Sequence, residues 1–259
     1  MIQTPLKYYG KLTINPGSWQ QRGLTYWVSP WLEQNRGFGQ VERYKHVNDT
    51  TFSYMPLMVA DPDMGWVYDI DTAERGYKSR RLVMDYITCS AWIKGGNQAS
   101  DANVILGDDT GPNRNFQFRI TTNALQWIIF KRAGGFNLVT GSTTSLNNNT
   151  WRHIAATYDG AQLRVFVDGK EDATPVADAG LLNNSTGHYY FFGASTGFYY
   201  VGRNHDYRIY NRALSAEEIF ALYDTKTRWD LYLPVKDQFW SIPAAAPPAG
   251  NPWYAYAQQ

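Results

Sequence analysis

The chain has 259 residues and a mass of 29.6 kDa, which is enough for one large domain or two small ones. Its 24 Lys and Arg residues balance 23 Asp and Glu residues, and a net charge of +1 excludes the strongly cationic surface of a nonspecific nucleic-acid-binding protein. The single cysteine, Cys89, excludes an intramolecular disulfide and a cysteine-cluster zinc site, and its alternating neighbours predict a thiol buried in a core.

The first 75 residues are rich in Trp, Tyr, Pro and Gly and show no sustained alternation. We assign residues 1–75 to an N-terminal arm and the first strands of the domain that follows. The N-terminus lacks the basic start and apolar run of a signal peptide. No stretch approaches the ~18 apolar residues of a membrane span, so we expect no membrane insertion.

Between residues 82 and 167, short runs of alternating apolar and polar residues are separated by Gly, Asn and Asp, which predicts antiparallel strands. Asp159-Gly160 and Asp168-Gly169 predict two tight hairpin turns. The strand-like runs are Leu82–Ile93, Ala102–Leu106, Asn115–Ile120, Leu125–Phe130, Trp151–Tyr158 and Gln162–Val167.

One segment, residues 214–223, has the pattern of a helix. Ser215 and Glu218 have the spacing of a capping box, and Leu214 and Ile219 have that of a hydrophobic staple. Many short strands followed by a single short helix predict an all-β sandwich, which we place at residues 76–226.

Residues 227–259 form an aromatic and proline-rich tail. Large aromatic side chains seldom stay uncovered in water. We therefore expect those of the tail either to pack on the chain's own sandwich or to form a subunit interface. The candidate interface residues are Trp229, Tyr232, Phe239, Trp240, Trp253, Tyr254 and Tyr256.

Three motifs, in this order along the chain, resemble the laminin-G-like, concanavalin-A-like jelly-roll family. Thr88–Lys94 is similar to an early strand of that family, residues 151–170 to its core strands, and residues 207–223 to its last inner strand and terminal helix. The resemblance covers residues 82–226 and implies two curved antiparallel sheets packed face to face, with extended N- and C-terminal arms.

The segment Asp224–Pro234 is similar to the ending of laminin-G-like proteins encoded in tailed-bacteriophage genomes. This resemblance implies a virion structural protein, such as a capsid decoration or surface-fibre subunit, that assembles in the host cytoplasm. Its expected partners are neighbouring virion subunits or further copies of the chain, held through the terminal arms. The alternative is a soluble lectin-like module that binds cell-surface polysaccharide, and both functions can coexist.

Glycoside hydrolases also use this architecture, and they place two carboxylates on one strand in a Glu-x-Asp-x-x-Glu pattern. No glutamate of this chain has an aspartate two residues later. Gly193–Gly197 matches Gly-x-Ser-x-Gly, but a predicted strand follows it where a nucleophile elbow needs a helix. We assign no catalytic residue and expect a protein that is not an enzyme.

Calcium is the one cofactor that the family resemblance raises, because members often bind it at a sheet rim through carboxylates and backbone oxygens. Residues 61–65 and 107–111 could offer oxygens, but both stretches lack the ligand count of a defined calcium loop. Where family members carry an acid, this chain has His205, beside Asp206. We assign no metal ligand and expect no cofactor, with calcium as the alternative.

A sugar site would combine aromatic faces with amide and charged groups that bind hydroxyls. The aromatic runs 188–192 and 198–200 and the polar residues 113–115 lie near predicted loops, although alternate residues of such runs must also enter the core. The candidate sugar-binding residues are Asn113, Arg114, Asn115, Tyr190 and Tyr199.

Overall fold

Strands dominate the computed structural model. It describes residues 12–29, 50–54, 57–70, 75–78, 84–95, 103–108, 114–184, 189–191 and 200–234. Within these ranges the elements in chain order are β1 (Leu12–Ile14), a 3₁₀ turn (Trp19–Gln21), β2 (Leu24–Val28), β3 (Thr50–Tyr54), β4 (Leu57–Asp61), β5 (Gly65–Ile70), β6 (Arg75–Lys78), β7 (Ile87–Gly95), β8 (Asn103–Asp108), β9 (Phe116–Thr121), β10 (Ala124–Phe130), β11 (Phe136–Thr140), β12 (Trp151–Tyr158), β13 (Gln162–Val167), β14 (Lys170–Glu171), β15 (Val176–Ala177), β16 (Tyr189–Phe191), β17 (Gly202–Tyr210), helix α1 (Ala216–Tyr223) and β18 (Tyr232–Pro234).

Most of the strands form two large antiparallel sheets. The seven-stranded sheet has the order β11-β10-β9-β8-β16-β6-β3. The nine-stranded sheet has the order β14-β13-β12-β7-β17-β5-β4, with β2 beside β17 and β15 beside β13. The predicted all-β antiparallel sandwich with one short helix is confirmed for the described part of the chain, and strands from before residue 76 belong to both sheets.

The core lies between the sheets and is built from alternate side chains of their strands. Trp127 and Phe118 from the seven-stranded sheet and Ile154 from the nine-stranded sheet are fully buried there. Cys89 belongs to the same core, and burial raises the pKa of its thiol well above the ordinary value. The prediction of an inert core cysteine is therefore confirmed.

Both predicted hairpin turns are present. Gly160, between β12 and β13, has a φ of 85°, and the Asp159 carboxylate accepts hydrogen bonds from the backbone N–H groups of Ala161 and Gln162. Asp168 and Gly169 have φ values of 50° and 76° and join Val167 to Lys170 directly across the ladder. Positive φ at both central residues is the geometry that an Asp-Gly hairpin turn supplies.

Helix α1 covers the outer face of the nine-stranded sheet. The Ser215 hydroxyl accepts from the Glu218 N–H at 3.3 Å, and the Glu218 carboxylate accepts from the Ser215 N–H at 3.0 Å, which confirms the capping box. Leu214 and Ile219 are buried in one cluster with Phe166 of the sheet, as the predicted staple requires.

The segment after the helix packs on the same outer face. Leu231 is fully buried, and β18 pairs with β1, so the first and last described strands are neighbours. Residues 227–234, which the sequence places in the tail, therefore pack as part of the sandwich. The arm before residue 12 and the tail after residue 234 lie outside the described residues. Within the described ranges, no helix is long and apolar enough to cross a membrane.

Candidate functional site

The β10–β11 hairpin of the seven-stranded sheet presents two aromatic rings on either side of its turn. Phe130 and Phe136 are direct partners in the ladder, and their ring centroids are 5.8 Å apart. Gly134 and Gly135 close the turn with φ values of 92° and 81°, a conformation that favours glycine. Backbone hydrogen bonds of 3.0 Å from Lys131 to Gly135 and 2.9 Å from Gly134 to Lys131 fix the turn.

The segment Leu181–Asn184 runs beside this hairpin and forms a wall. Arg132 donates its N–H to the Leu181 carbonyl at 3.0 Å, and Asn183 donates to the Phe130 carbonyl at 2.8 Å. Leu182 anchors the segment because its side chain is fully buried in the main core. The position of the wall is therefore set by backbone hydrogen bonds and core packing before any ligand arrives.

The hairpin and the wall line the two sides of an open groove with a volume of about 370 Å³. Phe136 lines this groove and is 60% exposed, so its ring is accessible to a ligand. An aromatic face, a side-chain amide and cationic groups meet here. The lining residues are Phe130, Lys131, Arg132, Gly134, Gly135, Phe136 and Asn183.

Two cations of the hairpin are held in place by neighbours outside the groove. Lys131 Nζ lies 2.8 Å from Asp178 Oδ1. Arg132 Nη2 lies 3.2 Å from Asp85 Oδ1 and donates to Asn184 Oδ1 at 2.8 Å. The Arg132 side chain is still 40% exposed, so its guanidinium is oriented but remains accessible to solvent.

One of the predicted sugar-binding residues, Arg114, lies next to this groove. Its guanidinium carbon is 6.0 Å from the Phe130 ring centroid, and its carbonyl accepts from Asn183 Nδ2 at 3.0 Å. Asn115 and Tyr190 are only 1% and 8% exposed, so burial leaves little of either side chain for a sugar to contact. Asn113 and Tyr199 lie outside the described residues.

Sequence reasoning did not find Phe136, Arg132 or Asn183. The sequence does contain a signal for the hairpin, because Gly134-Gly135 lies between a strand-like run that ends with Phe130 and one that begins with Phe136. Asn183 offered no such signal, since it reaches the groove only through the pairing of its segment with the hairpin.

Trp229 and Tyr232, which we predict as subunit-interface residues, pack against the chain's own sheet. Tyr232 is 6% exposed, its ring lies 4.9 Å from that of Trp27, and its hydroxyl donates to Asp206 Oδ1 at 2.7 Å. Trp229 is partly buried, 5.4 Å from the His205 ring. For these two residues, intramolecular packing is the arrangement observed. The other candidate interface residues, Phe239, Trp240, Trp253, Tyr254 and Tyr256, lie outside the described residues.

Two of the acids considered for calcium, Asp206 and Asp61, are engaged in other contacts. Asp206 is buried and pairs with Arg208 at 2.7 Å. Burial raises the pKa of the Asp206 carboxyl, but Arg208, His205 and the hydrogen bonds from Arg208 and Tyr232 together hold it below its ordinary value. No group of three or more metal-binding side chains occurs among the described residues.

Asp61 is occupied in the same way. Its carboxylate accepts from Trp151 Nε1 at 3.0 Å and pairs with Arg203 at 3.0 Å and Lys94 at 3.4 Å. A divalent cation at Asp61 would have to displace two side chains that already neutralise this carboxylate.

The sequence matches a family model. Residues 78–220, more than half of the chain, match the laminin-G-type model described as the concanavalin A-like lectin/glucanases superfamily. Among curated proteins, none matches the chain in sequence.

Several solved structures share the fold. The binding domain of Paraclostridial Mosquitocidal Protein 1 has a TM-score of 0.58 at 16% identity, over 79% of this chain and 52% of that one. The ligand binding domain of botulinum neurotoxin serotype D, solved in complex with N-acetylneuraminic acid, has a TM-score of 0.54 at 12% identity, over 67% of this chain and 45% of that one. The binding domain of botulinum neurotoxin DC, in complex with SialylT, has a TM-score of 0.52 at 14% identity, over 67% and 45%. This chain spans about half the length of these structures, and the likeness is one of fold.

Proposed function

Because the chain belongs to the concanavalin A-like lectin/glucanases superfamily, we propose that it is a lectin-like domain that binds carbohydrate in the groove of the β10–β11 hairpin. The observation that carries the proposal is the 60% exposed Phe136 ring, which lies in one groove with Arg132 and Asn183. Structural neighbours named as binding domains, one of them in complex with N-acetylneuraminic acid, support the same class of function.

The groove has the chemistry that sugars need. A pyranose ring offers an apolar C–H face that can lie on an aromatic ring, while amides and guanidinium groups bind its hydroxyls. Phe136 supplies the ring, Asn183 an amide and Arg132 a guanidinium. Because backbone hydrogen bonds already fix the hairpin and its wall, little conformational freedom would be lost on binding.

The same lining favours binding over turnover. Hydrolysis of a glycosidic bond needs two carboxyl groups that flank the bond. The described residues that line the groove include none, and the nearby Asp85 and Asp178 each pair with a cation of the hairpin. We therefore propose a function that needs no catalysis and no metal ion.

A glycan array with the wild-type protein and two matched variants tests this proposal. Phe136→Ala removes the exposed ring of the groove, whereas Phe220→Ala removes a 46% exposed ring of helix α1, on the other sheet. We expect Phe136→Ala to weaken binding to the array hits about fivefold or more, since an aromatic platform contributes on the order of 1 kcal/mol or more. Phe220→Ala and added chelator should leave binding unchanged. A blank array, or equal binding by both variants, would contradict the proposal.

Attachment to a virion is a second candidate function. It rests on the resemblance of Asp224–Pro234 to phage proteins and on the aromatic residues that follow Pro234. The test is co-assembly: a chain that ends at Pro234 should fold but fail to join particles or oligomers that the full chain joins. Normal incorporation of the shortened chain would remove this function.

A further inference from the structure

The cationic side of the groove indicates which sugars it would select. We infer that the groove prefers sugars that carry a carboxylate, with the guanidinium of Arg132 as the carboxylate's partner. This inference rests on the proposed function and adds to it the chemical class of the ligand.

Arg132 has hydrogen-bonding capacity that its protein partners do not use. Its contacts with Asp85 and Asn184 both involve Nη2. Within the described part of the chain, Nε and Nη1 of Arg132 make no hydrogen bond. A guanidinium carries five N–H donors in a planar fork, and two parallel N–H groups match the two oxygens of a carboxylate.

The contacts that Arg132 does make would lower the cost of binding. An unconstrained arginine loses substantial side-chain freedom when it grips a ligand. Here Asn184, at 2.8 Å, and Asp85, at 3.2 Å, already restrain the guanidinium beside the aromatic ring of Phe136. The hydroxyls of a neutral sugar can accept hydrogen bonds from this guanidinium but form no ion pair with it, so the preset charge favours acidic sugars over neutral ones.

The charges around the groove act in the same direction. Its described lining holds two cations, Lys131 and Arg132, and no acid. Asp178 is only 6% exposed and offsets Lys131 at 2.8 Å, whereas Asp85 is 44% exposed, so solvent weakens its hold on Arg132. A carboxylate that enters therefore meets net attraction.

The test compares acidic sugars with the same sugars after their charge is removed. Titrations use sialyllactose and an oligogalacturonate, each beside its methyl ester, which keeps the ring and hydroxyls but removes the negative charge. We expect the esters to bind about tenfold more weakly, the difference that one charge-assisted bidentate contact supplies. Binding of the acids, but not of the esters, should also weaken as salt rises from 0.05 to about 0.5 M.

Two arginine variants assign the effect to Arg132. Arg132→Gln keeps a donor for Asn184 but loses the charge, and it should bring acid and ester to equal affinity. Arg164→Gln removes a similarly exposed arginine that pairs with Glu171 on the other sheet, and it should keep the full preference. Equal binding of acid and ester by the wild type, or an intact preference in Arg132→Gln, would overturn this inference while sugar binding at Phe136 stands. If the wild type bound neither acid nor ester, the proposed function itself would be removed.

Discussion

At the scale of single residues, Asp206 organises the outer face of the nine-stranded sheet. Its two oxygens bind Arg208 at 2.7 Å, Tyr232 at 2.7 Å and Trp27 Nε1 at 2.9 Å. Arg208 in turn donates to Gln20 Oε1 at 2.6 Å. The side chains of Asp206 and Arg208 are 4% and 2% exposed, so each charge depends on the other for compensation.

Asp206→Asn tests this dependence without disturbing the backbone. Asp206 has a φ of 57°, which asparagine also tolerates, so the change keeps the backbone conformation while it removes the charge and replaces one acceptor oxygen by an NH2 group. We expect a loss of about 3–5 kcal/mol in the free energy of unfolding, because Arg208 is left as an uncompensated buried cation. Urea titrations followed by circular dichroism measure it. Glu171→Gln, which breaks the exposed pair with Arg164, should cost at most about 1 kcal/mol. Similar losses in both variants would show that Asp206 acts by shape alone.

Two buried histidines give the same face a dependence on pH. His153 and His205 flank Trp92 across β12, β7 and β17 and are 2% and 0% exposed. Burial, together with the positive charges of Arg208 and Arg228, lowers the pKa of His153 to about 3 and that of His205 to about 4, although Asp206 acts in the opposite direction.

We expect stability to fall as the pH drops from 7 to 5. Below the ordinary histidine pKa of 6.5 the two histidines are protonated in the unfolded chain but stay neutral in the folded chain. Because the unfolded state binds more protons, it is stabilised relative to the folded state as the pH falls. Each histidine should cost roughly 2 kcal/mol at pH 5. The pKa values of Asp61 and Asp206 are lowered from 3.8, so these two groups change the stability mainly below pH 5. Between pH 7 and 5 the expected change therefore comes from the histidines. Unfolding titrations at both pH values measure the effect. His153→Gln should reduce the slope, and an unchanged slope would exclude His153 as its source.

At the scale of elements, the sequence predicts the features that depend only on residues close together in the chain. The capping box of Ser215 and Glu218 and the Asp168-Gly169 turn each depend on residues at most three positions apart, and both are present as expected. The groove depends on residues far apart in the chain, because Arg114, the 130–136 hairpin and Asn183 meet only once β9, β10 and the 181–184 segment are aligned. No local pattern contains that alignment, so the candidates chosen from the sequence include Arg114, beside the groove, but not Phe136, which lines it.

The burial of Tyr190 and Asn115 shows that residue type alone does not tell which side chains of a strand are exposed. An aromatic run such as residues 188–192 indicates a strand, but which of its side chains face the core depends on the register with neighbouring strands. The structure pairs Tyr190 with Gly107 and Tyr77 and buries it. A sugar-binding role cannot be read from residue type before that register is known.

At the scale of the whole molecule, the candidate sugar site and the C-terminal segment belong to different sheets. The groove lies on the β10–β11 hairpin of the seven-stranded sheet, whereas residues 227–232 cover the outer face of the nine-stranded sheet. The described part of the C-terminal segment, up to Pro234, therefore leaves the groove open.

The extent of the folded unit can be tested with two truncations. A chain that ends at Pro234 keeps Leu231 and Tyr232 and should unfold at the same urea concentration as the full chain. A chain that ends at Lys226 loses both residues, uncovers Trp27 and Tyr210, and takes from Asp206 the hydrogen bond of Tyr232. Burial of each large side chain contributes roughly 1.5–3 kcal/mol, so the shorter chain should lose several kcal/mol of stability. Equal midpoints for the two chains would mean that residues 227–234 rest on the sheet without supporting it, and that the boundary of the sandwich lies at residue 226 after all.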